Sequence, residues 1–426
     1  MHSSVPPEIP GTLVHPQHAE ELKDVVAGLL HRDGNRRFPG AQPVSFARQH
    51  IVELQQNEYF MCEKTDGIRC LLFLSYQGVE TPNGGEMYEP VTFLIDRKNQ
   101  YYQVEPPLRF PFHMLPDDED KFLFNTILDG ELVHDRIPGQ PKPRLVFYVF
   151  DCLVIDGTNY TTRPLDRRIG YMKKQIFEPY NNWIAKHPGR LAQEAFRVKE
   201  KLVYPPYHCR NIFENVLPNL PHGNDGLIFT CKSTRYMFGT DQHILKWKPP
   251  HENTIDFKLK LGEFPMFDPE DGEEGLIPDY DAQPDRIMLL VQYDKSTYKP
   301  FQHDLYVTDQ EWETLKGLDQ RLDGRIIECF RDEQGRWRFK KEDDGTPRWR
   351  DDKKDANHIS TVRSVLESIE DPVTEQDLIA VEAKVREAVY RLREDEKERM
   401  KHEQLQREQM ERDAKKRKFS EVNGGH

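Results

Sequence analysis

The chain has 426 residues, a formal net charge of −13, and is 37% hydrophobic and 11% aromatic. That length suits two or three domains with a sizeable packed core. The acidic total excludes a protein that coats nucleic acid over its whole surface, but not a local basic cleft, because local field rather than net charge attracts phosphate.

No apolar run approaches the roughly 18 residues of a membrane span. The opening MHSSVPPEIPGTLVHP lacks the charged and apolar regions of a signal peptide. Cysteines at 62, 70, 152, 209, 231 and 329 form no CxxC pair and no zinc-ligand spacing. Reduced, partly buried thiols of an intracellular protein are therefore expected.

Residues 1–36 read as a leader with one helix, AEELKDVVAGLLHR, whose Leu22, Val25, Val26, Leu29 and Leu30 follow helical spacing. A loop broken by proline and glycine, RFPGAQPVSF (37–46), follows. From there to about 250, short β-like runs recur: YFMCEK, RCLLFLSY, VTFLIDRK, TILDGELV, RLVFYVFDCLVI, GLIFT and HILKWK. The helical PLDRRIGYMKKQIF lies among them. The mixture predicts an α+β domain on antiparallel sheets over 37–250.

Residues 251–360 carry further short strands, TIDFKLKL, RIMLLVQYD, HDLYVT, RIIECFRD and GRWRFKKE, with a hairpin turn at Gly335. An acidic loop, 264–285, separates the first two. This pattern suits a small barrel such as an OB-fold.

Residues 361–426 turn helical. Thr374 and Asp377 are placed as a capping box, and Leu378, Val381, Val385 and Leu392 form an apolar stripe. From 394 to 418 almost every residue is charged or polar, which predicts a solvated helix fraying into a tail. The basic run Lys415–Lys418 reads either as a nuclear localisation signal or as a solvated helix end.

The segment EKTDGIR (63–69) raises the question of chemistry. A lysine amine is a nucleophile only when neutral, and freeing it at pH 7 takes about three pKa units, roughly 4 kcal/mol. Nearby cations and desolvation push that way. Arg69 is close in sequence, and LKWKP (245–249) offers Lys246 and Lys248 on one strand face. Such an assembly would also hold a polyphosphate. The expectation is that Lys64 attacks the α-phosphorus of a nucleotide to form a Lys–NMP phosphoramide. Taken alone, KxDG is short and recurs by chance. The ordered set downstream strengthens it: ILDGEL (127–132), FYVFDCLVIDG (147–157), NDGLIF (224–229), LKWKP and RDDKKDAN (350–357).

As a set these segments resemble the covalent nucleotidyltransferase superfamily, the mRNA guanylyltransferases (capping enzymes) and the polynucleotide ligases, over about residues 37–360. FPGAQPVSF, KTDGIR, FLIDRK, VFDCL, GTDQHILKWKPP and an R-x-D-K-x-x-x-N segment are similar to the guanylyltransferase branch, with Ala356 where many relatives carry proline.

The resemblance implies that Lys64 is the covalent nucleophile, that Arg69 and Glu131 hold the nucleotide sugar, and that Asp66 shapes the lysine loop. Phe150, in preference to Tyr148, would stack on the purine, although either could be a core aromatic. Asp225 would help bind Mg²⁺ or Mn²⁺. Lys246 and Lys248 would contact the α-phosphate, with Trp247 between them pointing inward. Arg350, Asp352 and Lys353 would reach the β- and γ-phosphates when two domains close. Lys232 and Ser233 would meet guanine O6.

The implied reaction takes GTP to Lys64–GMP and transfers GMP to 5′-diphosphate RNA. An ATP-dependent ligase and a non-catalytic RNA-binding scaffold of the same fold are the alternatives. YHCRNIF (207–213) has His208 and Cys209, but Asn215 stands where a cysteine phosphatase needs arginine. An RNA triphosphatase is therefore expected on another chain. By resemblance, a phosphorylated RNA polymerase II tail is a further partner, and the location is nuclear.

Overall fold

The computed structural model describes residues 7–80, 86–118, 121–268, 275–342, 344–351 and 353–423. They form two compact units. The first comprises the chain up to Val44, Gln49–Lys246 and Glu375 onward; the second comprises Ser45–Arg48 and Trp247–Thr374.

The first unit opens with β1 (Thr12–Leu13) and α1 (Pro16–Leu29), then β2 (Ala41–Ser45), α2 (His50–Gln56), β3 (Tyr59–Thr65), β4 (Ile68–Glu80) and β5 (Glu86–Asp96). Next come β6 (Tyr101–Val104), β7 (Thr126–Asp135), β8 (Arg144–Ile155) and the short β9 (Thr158–Asn159). The predicted helical stretch appears as α3 (Leu165–Met172), a π-helical turn over Lys173–Phe177, and α4 (Glu178–Lys186). After β10 (Arg197–Glu200) and the single turn α5 (Cys209–Asn211) come β11 (Asn224–Cys231) and β12 (Gly239–Trp247).

Two sheets result. The larger runs β1-β6-β5-β4-β7-β8-β10, with β9 paired to β8; the smaller runs β2-β12-β11-β3. Pairing in the larger sheet is antiparallel except where β10 runs parallel to β8.

The central strands are apolar almost throughout because both faces of the larger sheet are covered. Alternation sends Leu71 and Phe73 to one face and Cys70, Leu72 and Leu74 to the other. On the first face Leu22, Val26 and Leu30 pack against Phe93 and Ile127. The leader helix is thus part of the core rather than an appendage. On the second face Met172, Ile176, Phe177 and Tyr180 cover Leu128, Phe147 and Val149.

The second unit contains β13 (Ile255–Leu261), the paired β14 (Met266–Phe267) and β15 (Ile277–Pro278), β16 (Ile287–Gln292), β17 (Tyr298–Asp304), α6 (Asp309–Gly317), β18 (Ile326–Arg331), β19 (Trp337–Phe339) and α7 (Ile359–Glu370). Its five-stranded sheet, β17-β16-β13-β18-β19, is antiparallel. An isolated bridge from Leu305 to Trp337 joins the residue after β17 to β19, so the sheet curls until its two edges meet. Phe257, Leu289, Trp337 and Phe339 fill the interior with Val362 and Val365 of α7. The strand pattern missed α6, although Thr308 and Glu311 form a complete capping box at its start.

The C-terminal residues divide between the units. α7 belongs to the second, while α8 (Glu375–Ala380) and α9 (Glu382–Asn423) belong to the first. Leu378, Val385, Ala388 and Val389 are buried, Leu392 only partly, and residues 394–412 are exposed. Glu382 accepts from the Arg210 amide at 2.6 Å, and Arg393 pairs with Glu58. All six cysteines are buried and free. No helix among the described residues is long and apolar enough to cross a membrane.

Candidate active site

Lys64 stands one residue before the end of β3. Its Nζ donates to Asp225 Oδ1 at 2.6 Å, and the two side chains remain 25% and 23% exposed. Asp225 is aimed there by a bulge: the β11–β3 register passes from Asn224–Thr65 to Leu227–Glu63, leaving one extra residue on β11. Gly226 in that bulge has φ +142°, which side chains rarely adopt.

The turn after Lys64 is equally constrained. A Cβ on Gly67 would lie 2.3 Å from the Leu132 carbonyl oxygen and 2.7 Å from Val133 Cγ1. Only glycine lets this turn rest on β7. The Asp66 amide donates to the Gly223 carbonyl at 3.0 Å, tying the turn to the approach of β11. The sequence surrounded Lys64 with cations; the structure places an anion in direct contact.

Arg69, on β4, lies opposite Glu131 on β7. Its Nε and Nη2 donate to Asp129 Oδ1 and Oδ2 at 3.0 and 2.6 Å, and Nη1 donates to the Ala41 carbonyl. Tyr236 OH donates to Asp129 Oδ2 at 2.5 Å and accepts from the Ala41 amide at 2.9 Å. Arg69 is thus anchored through a fully buried carboxylate that the sequence did not single out for the site. Burial pushes the Glu131 carboxyl above the usual carboxylate range, while the charges of Lys201, Lys64 and Arg69 oppose that shift.

The aromatic pair separates cleanly. Tyr148 OH donates to Asp135 Oδ2 at 2.8 Å, and its ring meets His222 edge-on at 5.0 Å. Phe150 stays partly exposed, with the Arg69 guanidinium 5.4 Å from its ring centre. Of the two rings, Phe150 is the one not committed to a hydrogen-bonded cluster.

Beside Lys64, on the opposite face of β3, lies a buried charge cluster that sequence reasoning missed. Lys201 donates to Thr65 Oγ1 and lies 3.3 Å from Glu63 Oε1. His222 Nδ1 is 2.9 Å from Asp135 Oδ1 and its Nε2 is 3.6 Å from Glu63 Oε1, with its side chain 2% exposed. Burial alone would lower the His222 pKa, but hydrogen bonding to Asp135 and the charge of Glu63 raise it overall. The Lys201 ammonium is likewise opposed by burial, yet Glu63 and Glu131 keep it charged.

Lys246 and Lys248 flank buried Trp247, whose Nε1 donates to the Val373 carbonyl at 2.8 Å; both lysines are half-buried on the other side. Lys232 and Ser233 are not brought to Lys64. Lys232 pairs with Glu58 at 3.2 Å, and Ser233 Oγ lies 3.5 Å from Cys231 Sγ. Residues 225 to 232 span about 23 Å of extended chain, so Lys232 stands just past the end of β11 remote from Asp225.

In the second unit, Arg350 Nη1 donates to Asp256 Oδ1 and Oδ2 at 3.2 and 3.3 Å, and Lys353 Nζ also donates to Asp256. The Asp256 amide donates to Asn357 Oδ1 at 2.8 Å. Three members of the R-x-D-K-x-x-x-N segment therefore converge on one buried acid of β13. Asp352 lies outside the described residues.

The fold and the lysine–carboxylate site together define an α+β nucleotidyltransferase. The family model for the mRNA capping enzyme catalytic domain matches residues 6–250, and that for the mRNA capping enzyme C-terminal domain matches 252–379. The chain is 43% identical to the mRNA-capping enzyme subunit alpha of Schizosaccharomyces pombe, covering 90% of this chain and 89% of that protein. It is 41% identical to the subunit of that name from Yarrowia lipolytica, over 90% and 92% of the two chains. The Saccharomyces cerevisiae counterpart is 36% identical over 89% and 86%. The chain belongs to the mRNA capping enzyme family. It is a guanylyltransferase, with GTP as its substrate.

Proposed function

We propose that Lys64 carries the reaction as a covalent nucleophile in two steps. In the first, Lys64 Nζ attacks the α-phosphorus of GTP. A P–N bond forms, the bond to the bridging oxygen breaks, and pyrophosphate leaves. In the second, a terminal oxygen of 5′-diphosphate RNA attacks the same phosphorus. A P–O bond forms, the P–N bond breaks, and the amine recovers its proton as the 5′–5′ triphosphate cap is released.

The single observation that carries this reading is the contact between Lys64 Nζ and Asp225 Oδ1 at 2.6 Å. An ammonium cannot attack, and a carboxylate hydrogen-bonded to it is placed to hold the departing proton. Phe150 offers the free ring for the purine, and Glu131, opposite Arg69, is the carboxyl for the sugar. Lys246 and Lys248 bear on the α-phosphate.

Among the described residues no group of three or more His, Cys, Asp or Glu side chains could hold a metal. A Mg²⁺ or Mn²⁺ ion would therefore fit only as such ions sit in nucleotide sites, on one carboxylate with substrate phosphates completing the shell. Asp225 is the carboxylate for it, and the ion would neutralise phosphate charge.

The curled sheet of the second unit supports reading it as an OB-fold that brings Arg350, Asp352 and Lys353 to the β- and γ-phosphates on closure. The name "subunit alpha" of the relatives supports a separate RNA triphosphatase subunit. A phosphorylated RNA polymerase II tail and a nuclear location, served by Lys415–Lys418, complete the proposal.

The test is incubation with Mg²⁺ and α-labelled GTP or ATP, followed by a denaturing gel. A label from GTP alone, absent from Lys64→Ala, is expected. A label from ATP alone would move the chain to the ligases.

A further inference from the structure

Two segments that resemble the guanylyltransferase branch, RFPGAQPVSF and FLIDRK, have no role in the chemistry above. The structure brings them together. They line an open groove of about 860 Å³ whose walls include Lys23, Arg36, Arg37, Gln42, Arg97 and Lys98, and no carboxylate lines it. In a chain of net charge −13 this is a local reversal of sign.

The cations are not equivalent. Arg36 is neutralised by Asp24 and Glu20, at 2.5 and 3.1 Å, and Lys23 by Glu20 at 2.7 Å. These pairs hold the loop in place, helped by Asn99 Nδ2 donating to the Arg36 carbonyl at 2.6 Å. Arg97 Nη2 donates to Gln42 Oε1 at 3.1 Å. The side chains of Arg37 and Lys98 are exposed and have no ion pair or hydrogen bond among the described residues. Lys98 feels the nearby Asp96 carboxylate, but neither it nor Arg37 is held in an ion pair among the described residues.

Its position matters as much as its sign. Gln42 follows Ala41, whose carbonyl accepts from Arg69. The β4–β5 register pairs Cys70 with Asp96, so continuing it sets position 97 beside Arg69. Arg69 in turn faces Glu131, which feels the charge of Lys64. The groove therefore opens at the same end of the larger sheet as the nucleophile's surroundings.

We propose that this groove receives the 5′-diphosphate end of the acceptor RNA, with Arg37 and Lys98 as its phosphate-binding side chains. The inference rests on the guanylyltransferase reading and adds to it the acceptor subsite. The same charge could instead serve the triphosphate of GTP, and the experiment separates the two.

The measurement is the affinity of the full chain for a labelled oligonucleotide with a 5′-diphosphate end and for the same RNA with a 5′-hydroxyl end. It is made for the natural chain and for the double variant Arg37→Ala/Lys98→Ala, alongside the yield of GMP adduct against GTP concentration. The variant is expected to bind the diphosphate RNA about tenfold more weakly, and the slope of log affinity against log salt is expected to fall by about 1.4. Binding of the hydroxyl RNA and the GTP dependence of adduct formation should not change.

Unchanged diphosphate affinity overturns the proposal. So does an equal loss for both RNAs, which marks only a general field, or a rise in the GTP required, which assigns the groove to the nucleotide. Failure of the natural chain to form any adduct would sink the guanylyltransferase reading, and the preference for a diphosphate end would still decide the groove.

Discussion

Two ion pairs within the first unit use similar groups for opposite ends. Lys64–Asp225 joins an amine to a carboxylate at 2.6 Å, and Arg69–Asp129 joins a guanidinium to a carboxylate at 2.6 Å. In the first pair both side chains are about a quarter exposed; in the second Asp129 has no exposed surface. The first involves a flexible amine that can lose its proton. The second is a two-point clamp by a group that stays charged in proteins, further fixed by Tyr236. The lysine sits in a pair that solvent can reach, as the proposed nucleophile requires, while the arginine near it is locked into the frame.

That contrast breaks most sharply at Lys64 itself. Lys64→Ala should abolish the GMP adduct while changing stability by no more than about 1 kcal/mol, because partly exposed pairs contribute little. Adduct labelling and denaturant unfolding read the two halves, and a residual label would end the assignment of the nucleophile.

Asp129→Ala should do the reverse. It leaves a mostly buried guanidinium, 17% exposed, and the buried Tyr236 hydroxyl without their acceptor, at a cost of about 3 kcal/mol. Urea unfolding within about 1 kcal/mol of the natural chain would show that the clamp is not structural.

Asp225→Asn keeps the shape but not the charge. A loss of adduct formation of about 10²–10³-fold, with near-native stability, is expected if the carboxylate acts on developing charge. Equal loss of rate and fold would contradict this.

Phe150→Leu should raise the GTP requirement by about fivefold, the scale of about 1 kcal/mol that ring stacking adds. Tyr148→Phe should leave that requirement unchanged, since its hydroxyl serves Asp135. If Tyr148→Phe moved the GTP requirement and Phe150→Leu did not, the two roles would be exchanged.

The smallest effect is on pH. The His222 pKa is raised in the folded state, whereas those of Asp135 and Glu63 are lowered. The histidine's contribution is fully present below its unfolded value, near 6.5, and is lost as pH rises through the folded value. The two acids contribute above about 4.5 and lose their contribution as pH falls through their lowered values. The cluster is therefore strongest between these limits. Melting temperature should fall gently above pH 6.5 in the natural chain and stay flatter in His222→Gln. Parallel curves would remove His222 from the account.

How much of this was legible follows from distance along the chain. Lys64, Asp66 and Gly67 fall within four consecutive residues, and the physical demand on them is local: a strand end, a tight turn and no room for a Cβ. Glu131 and Phe150 came from the resemblance of their segments to the family, since alternation along their strands marks Asp129 and Tyr148 equally. Asp129 stood in the same ILDGEL segment, but nothing in its spacing said that it would be the buried partner of Arg69. Asp256 had no signal at all, because its importance comes from Arg350, Lys353 and Asn357 converging on it. That Lys232 lies well away from Asp225 was not legible, because a motif order along the chain does not measure how far an extended strand carries a residue.

By itself the sequence determined the α+β class and the membership of a family, because each depends on local composition or an ordered series of short segments. Tertiary structure alone decided which charges meet. Lys64 and Asp225 are 161 residues apart in the chain, and a one-residue bulge sets which face of β11 the carboxylate takes. Whether a given ion pair reacts or holds the frame depends on burial and on the other groups competing for it, and neither is defined until the sheets have packed.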